Sequence, residues 1–414
     1  MAQPAHGRTP SLIGGSSIVA GVCVGAGMLG LPSSGAGAWT LWSSLALILT
    51  MSVMTLSGWM LLEAFKHYDL RASFNTVTRS LLGAKVNTFS NLMVYFVGGI
   101  LLYAYITSSG LIIQDLTGIS SKLASVAFVA VFSLFVWHST RAVDRLSVVL
   151  VTFMVLSFVL GISGLAARID LGVLFDTSNV GGHYAPYALA LLPVALTSFG
   201  YHHSVASLRA YYGDERKAQK AILGGTLIAL MLYLAWLVSI FGNLPRADFG
   251  PVVARGGDVN VLLAALAFAI DSERVANLVS AFSAAAILSS FIGVGLGTFD
   301  YMADLFGFSN DRKGRTRTWA ITFIPPLLLS LVAPFGFVLA IGYAGAAAAV
   351  WTCIIPALLA RKSRSLHGGR SGFVAPGVQA AIVLVLVFGV LTVAFHVMGL
   401  LGVLPVAELG GRAQ

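Results

Sequence analysis

Runs of at least about 18 residues without a charged side chain recur along this chain of 414 residues, and each is long enough to cross the hydrocarbon of a bilayer as a helix. Within hydrocarbon the backbone must satisfy its own hydrogen bonds, which leaves helices or a closed barrel. Runs of this length, with no two-residue alternation, select helices. Composition agrees: 10% of the residues are charged and mean hydropathy is +0.88, against about 25% charged in an ordinary soluble domain. Cys23 and Cys353 both lie inside apolar runs, so neither a disulfide framework nor a metal site is indicated.

Eleven spans are expected, near 12–38, 40–64, 87–114, 119–138, 143–166, 185–208, 219–243, 275–300, 317–334, 335–360 and 376–401. Only Arg8 precedes the first, and glycines interrupt it, so it reads as a retained span and not a cleavable signal peptide. Of the 25 Lys and Arg residues, Lys122, Arg168, Arg246, Arg255, Arg274 and Arg412 fall between spans on one side and all the others on the opposite side. The positive-inside rule then puts the N-terminus in the cytoplasm and the C-terminus outside. The formal charge of +9 is thereby a topology signal, and a nucleic-acid partner is not expected. The bilayer is the expected surrounding partner.

Eleven spans group as five, five and one. Because five is odd, the second group enters the membrane from the side opposite to the first, as an inverted repeat requires. The expected division is a cytoplasmic N-terminus at 1–11, a first five-helix repeat at 12–170, a second at 171–362, and an eleventh helix with an external C-terminus at 363–414. The first span of each group carries a matching interruption: Gly25-Ala26-Gly27-Met28-Leu29-Gly30 in one, Ser198-Phe199-Gly200-Tyr201-His202-His203-Ser204 in the other. Glycine weakens a helix, and polar groups at mid-membrane are tolerated where they line a cavity. A broken helix offers amide N–H groups at one new end and carbonyl oxygens at the other. The first end suits a carboxylate and the second an ammonium group or small cation. An α-amino acid zwitterion carries both charges on one carbon. The alternative for the glycines is close packing between helices, for which Gly21 and Gly25, and Ser289, Gly293 and Gly297, are spaced.

Leu12-Ile13-Gly14-Gly15, Gly25-Ala26-Gly27-Met28, Ser198-Phe199-Gly200-Tyr201-His202, the run from Leu296 to Phe306 and Ile341-Gly342-Tyr343-Ala344-Gly345 resemble the hydroxy/aromatic amino acid permease family. The loop Leu81-Leu82-Gly83 and the segment Tyr184-Ala185-Pro186-Tyr187 extend the resemblance over nearly the whole chain. A finer likeness, to tryptophan-type permeases of bacterial inner membranes, rests on Trp39 with Trp42, Ser57-Gly58 and Gly242-Asn243-Leu244-Pro245-Arg246. The resemblance implies an eleven-span LeuT-like fold and uptake of an aromatic amino acid, tryptophan first and tyrosine or a broader aromatic set as the alternative, by secondary transport usually driven by protons.

Substrate contacts are expected from Gly25, Ala26, Gly27 and Met28 at the first break and from Ser198, Phe199, Gly200 and Tyr201 at the second. In the third span Tyr95, Gly99, Tyr103, Thr107, Gly110 and Gln114 share one helix face. In the fold the chain resembles, that span faces the central cavity, which makes Tyr103 and Thr107 candidates; a packing tyrosine bonded to a neighbouring carbonyl is the alternative. Tyr343 is a further aromatic candidate, or a gate. His202, ionisable near neutral pH at a break, fits a proton-coupled step. Glu63 and Asp300, at span ends, are candidates for an inner gate or for pairing with loop arginines.

Some proton-coupled relatives of the resembled fold place a lysine in the fifth span, where its ammonium replaces a sodium ion; the matching position here is Met154. Ser289 and Ser290 offer hydroxyls to a sodium ion instead, with carbonyls around Ala20–Cys23. The proton is expected first and sodium second. An enzyme is not expected: no metal-ligand cluster, phosphate loop or soluble domain is visible, and no cofactor is called for. A channel would show rings of charge or repeated filter loops, which are missing.

Overall fold

The computed structural model describes residues 11–70, 72–138, 140–179, 182–334, 336–367, 372–405, 407 and 409. The expected cytoplasmic stretch before Ser11, with Arg8, lies outside the described residues, as do Arg71, Arg370 and Arg412.

Ser11 begins the first helix by accepting the Gly14 N–H on its hydroxyl at 3.0 Å, and α1 runs Leu12–Cys23. A 3-10 turn at Ala26–Gly30 and the short α2 (Leu31–Gly35) follow, bent by 52° from α1. Next come α3 (Trp39–Phe65), the amphipathic α4 (Phe74–Leu82), α5 (Ala84–Thr117), α6 (Ser121–His138), α7 (Thr140–Ala166) and the one-turn α8 (Leu171–Leu174). Gly83 stands between α4 and α5 at φ +86°, a backbone conformation that side chains with a Cβ rarely adopt.

In the second half, α9 (Ala188–Ser198) is interrupted before α10 (Val205–Tyr212), and Gly213 ends α10 in the left-handed conformation. Asp214 then caps α11 (Glu215–Phe241). The connection to the next long helix contains α12 (Gly250–Ala254) and α13 (Val259–Ile270). There follow α14 (Glu273–Phe306), α15 (Arg312–Val332), α16 (Phe337–Ala349), α17 (Ile355–His367) and α18 (Val378–Leu400). A π-turn at Val350–Ile354 joins α16 to α17.

Eight helices among the described residues are long and apolar enough to cross a membrane, nine when the bent pair Leu12–Cys23 and Ala26–Gly35 counts as one crossing. Their outer surface is apolar: Val148, Leu156 and Phe153 on α7 and Val383 and Val390 on α18 are each at least half exposed. Such a surface suits hydrocarbon and not water. Several hydroxyls inside the bundle are satisfied locally: Thr50, Thr55, Thr352 and Thr392 donate to the carbonyl four residues earlier.

The helices pack in recurring pairs. α1 lies along α11, and α9 along α3; α5 lies along α16, and α14 along α7. α5 also meets α6 and α15, while α14 meets α15 and α6. The two interruptions therefore come to the middle of one bundle, walled by α3, α5, α11 and α14.

Candidate functional site

The first interruption leaves backbone groups without helical partners. Val24 N–H still reaches Ala20, but two residues on the Ala26 N–H turns outward and donates to Ser290 Oγ on α14 at 2.9 Å. A Cβ on Gly25 would stand 2.6 Å from the same Oγ, so only glycine lets α14 approach here. Gly27 faces the second interruption: its Cβ position lies 3.3 Å from Ser198 Oγ and 3.5 Å from Ser198 Cα. Met28, buried, sits in the 3-10 turn with its N–H on the Gly25 carbonyl.

The second interruption is built from rings. Phe199 caps α9 and Gly200 N–H turns back to the Thr197 carbonyl at 3.1 Å. Phe199 is fully buried, with its ring edge-on to Tyr233 of α11 at 4.9 Å. The Tyr233 hydroxyl lies 2.7 Å from the Cys23 carbonyl and 2.5 Å from the Ser198 carbonyl. These are carbonyls at the C-terminal ends of α1 and α9, where the helix dipoles concentrate negative charge. One hydroxyl proton serves two carbonyls, so three oxygens converge where a single hydrogen is available. Tyr233 gives no pattern to read in the apolar run of α11, and the sequence expectations did not include it.

Tyr201 and His202 turn away from this point. The Tyr201 hydroxyl donates to the Met54 carbonyl of α3 at 2.9 Å, and its ring lies against Gly58, where a Cβ would collide with it. Tyr201 is therefore an anchor to α3. His202 is 3% exposed and stacks on Tyr201 at 4.7 Å; neither ring nitrogen has a hydrogen-bond partner. Trp351, in the π-turn, stands edge-on to His202 at 6.2 Å and also packs on Phe74 of α4. π-Turns inside helices are frequent at functional sites.

The face of α5 expected at the cavity is docked elsewhere. Tyr95 donates to Ile321, Tyr103 to Ala333 and Thr107 to Ser330, so all three reach α15 or its C-terminal cap. Tyr105 instead hydrogen-bonds Ser290, and so stands beside the first interruption. Tyr103 and Tyr105, two positions apart, lie about 200° apart around the helix, and the four-residue spacing that groups Tyr95, Tyr103 and Thr107 marks their common neighbour, which is α15. Tyr343 packs edge-on to His396 of α18 at 4.8 Å.

Ser289 and Ser290 divide. Ser290 holds the first break, whereas Ser289 Oγ bonds the Ala286 carbonyl at 3.2 Å and lies 3.9 Å from Met154 Sδ. Met154 thus faces α14. Gly21, Gly293 and Gly297 are not close-packing positions: a Cβ on any of them would meet nothing within 4 Å, and they border open space. No group of three His, Cys, Asp or Glu side chains is arranged to hold a metal among the described residues.

At one end of the bundle Glu63, fully buried, takes Arg364 of α17 in a bidentate pair with both N···O distances 2.7 Å, and its Oε2 also accepts the Ala375 N–H at 2.9 Å. Its partner is a helix arginine and not one from a loop. Beside it Lys66 donates to the Phe373 carbonyl at 2.8 Å, and burial pushes its ammonium below the usual lysine range. Asp300 is exposed; Arg315, the nearest cation acting on it, donates instead to the Trp137 and Val136 carbonyls.

The chain is a multi-pass helical protein with two interrupted helices, and its relatives are permeases and not enzymes. Residues 8–396 match the tryptophan/tyrosine permease family, and the chain belongs to that family. It is 46% identical over 408 residues to a tryptophan-specific transport protein of Haemophilus influenzae, covering 95% of this chain and 97% of that one. It is 45% identical over 405 residues to a tryptophan-specific transport protein of Pseudomonas aeruginosa, covering 96% and 97%. A manganese transporter of Eremococcus coleocola shares the fold, with a TM-score of 0.58 at 15% identity over 95% of this chain and 88% of that one.

Proposed function

We propose that the chain carries an aromatic amino acid, tryptophan first, into the cell through the bacterial inner membrane by ion-coupled symport with alternating access. The observation that carries this reading is the convergence of the Cys23 and Ser198 carbonyls on Tyr233 Oη. Three oxygens short of hydrogens suit an α-ammonium group, which brings three donors. The Gly25–Met28 turn, where a new helical segment starts, supplies the carboxylate end. Phe199, beside Ser198, supplies a ring face or edge for an indole. The relatives named as tryptophan-specific support the same substrate.

The recurring packing pairs support a LeuT-like inverted repeat. Exchanging α1 with α9–α10, α3 with α11, α5 with α14, α6 with α15 and α7 with α16–α17 turns each contact described above into another of the set. Adding the interrupted α9–α10 and the charge-led α15 to the nine crossings gives eleven, with repeats at 12–170 and 171–362 and the eleventh helix in 363–414. The end carrying Glu63 and Arg364 is then cytoplasmic, as is the N-terminus.

For coupling, the proton is favoured. His202 keeps both nitrogens unpaired in a buried place at the second break, and an imidazole so placed is the natural carrier of one proton. Sodium would need hard oxygen ligands, yet Ser290 is engaged with Ala26 and Ser289 faces a thioether. Proteoliposomes loaded for counter-flow of labelled tryptophan, with pH and sodium gradients imposed separately, test this. Uptake driven by an inward proton gradient and lost in His202→Gln is expected; uptake that follows sodium and ignores pH overturns the coupling. Preferential exchange of tyrosine would move the substrate to the tyrosine side of the family.

A further inference from the structure

Away from the breaks, α4, the start of α5 and the end of α14 enclose a pocket of about 360 Å³ that the transport reading does not use. Its floor is a carboxamide cluster. Asn75 Oδ1 accepts from Asn87 Nδ2 at 2.6 Å and from Asn91 Nδ2 at 3.0 Å, and Tyr301 donates to the Asn91 carbonyl. Asn87 is 6% exposed, lines the pocket, and its Oδ1 is buried with no hydrogen-bond partner. A buried acceptor of this kind calls for a donor from outside the chain. Arg79 and Asp304 stand on the rim, and neither is in an ion pair among the described residues. The pocket thus offers one cation, one anion and an orphan acceptor.

The depth and surroundings select the ligand. α4 is amphipathic, with Val77 and Leu81 buried, and lies where two long helices end, at the level of lipid headgroups. Thr88 on the rim is followed one and two turns along the same face of α5 by Leu92 and Phe96, 56% and 42% exposed. Leu305, also lining the pocket, is 46% exposed. An acyl chain can leave the pocket over these side chains. We propose that the pocket holds the headgroup of a phospholipid bearing both a phosphate and a primary ammonium, phosphatidylethanolamine, with the phosphate on Arg79 and the ammonium shared by Asp304 and Asn87 Oδ1. Phosphatidylcholine has no N–H to give these acceptors, and phosphatidylglycerol has no cation. A lipid so held would tie α4, α5 and α14 together beside the π-turn, since Phe74 of α4 packs on Trp351.

Native mass spectrometry of the full chain, released from micelles containing equal amounts of the three lipids, reads the site. The expected result is one retained phosphatidylethanolamine, favoured over phosphatidylcholine about tenfold, the weight of one charge-assisted hydrogen bond. Asp304→Asn should bring the two lipids level, Arg79→Gln should lose both, and Arg79→Lys should restore the preference, with the elution profile showing that each variant is folded. Equal retention of all three lipids by the unaltered chain, or an unchanged preference in Asp304→Asn, overturns the proposal. Displacement of the lipid by free tryptophan would also overturn it, in favour of a second amino acid site.

Discussion

The two breaks stand side by side yet are held in different ways. The first is a backbone device: three glycines within six residues, an amide pinned to Ser290, and open space beside Gly21. The second is a device of rings, with Phe199 on Tyr233, Tyr201 lodged against α3, and His202 between Tyr201 and Trp351. Exposed amides and carbonyls recognise the charges that every amino acid shares. Rings recognise what differs between amino acids, and the histidine adds a group that can change its charge. In the proposed function, binding the zwitterion and choosing the side chain are thus divided along two helices. Tyr233 touches both.

Joining the two halves sterically should have the largest effect. Gly27→Val would push two methyl groups into Ser198, and overpacking of about 1–3 kcal/mol corresponds to a loss of uptake of about fivefold to 150-fold. Initial rates of labelled tryptophan uptake, normalised to protein in the membrane, measure this; unaltered kinetics would mean that the breaks do not meet at the substrate. Tyr233→Phe is the sharper test, because it keeps the ring that packs on Phe199 and removes only the hydroxyl. Leaving two buried carbonyls without that donor should cost about 1–2 kcal/mol, a loss of roughly tenfold in uptake. A fall in abundance with a normal rate per molecule would reduce Tyr233 to a staple between helices. Phe199→Ala addresses the ring side alone and should raise the apparent constant for tryptophan several-fold, from about 0.5–1.5 kcal/mol of aromatic contact. If alanine or serine transport changes as much, the ring does not choose the side chain.

The smallest effect concerns the end of the bundle that carries Glu63 and Arg364. His67 stacks on His367 at 4.0 Å, and burial first, then the charges of His367 and Lys66, hold its imidazole below the ordinary value of 6.5. The folded state therefore disfavours its proton. Its contribution to stability is present above pH 6.5 and is lost as pH falls through the lowered value. Thermal unfolding between pH 7.5 and 5.5 should show a slightly weaker pH dependence in His67→Phe than in the parent. Identical slopes would show that the stack does not sense protons.

Much of this architecture was legible before any coordinates, because lipid demands long apolar helices and leaves interruptions conspicuous. Gly25–Met28 and Ser198–His202 were visible for that reason. The neighbours of each helix face were not. Tyr103 and Tyr105 differ by two positions, and periodicity groups residues on a face without saying whether the face meets α15 or the breaks. Tyr233 and Trp351 carry no local pattern, since an aromatic residue in an apolar run looks the same at a site and in a wall. The glycines of α14 read equally well as packing contacts or as the border of a crevice; only the surrounding helices decide, and they border open space.

The Glu63–Arg364 pair has a further consequence, for how the chain is made. Its partners are 301 residues apart in sequence. At a synthesis rate of 5–20 residues per second, the ribosome needs about 15–60 s to deliver the arginine after the glutamate. For that interval Glu63 has Lys66 nearby but not the bidentate partner that closes this end of the bundle. A chain that stops before α17 lacks the arginine that takes both oxygens of Glu63, so this end of the bundle is fastened only when synthesis is nearly complete.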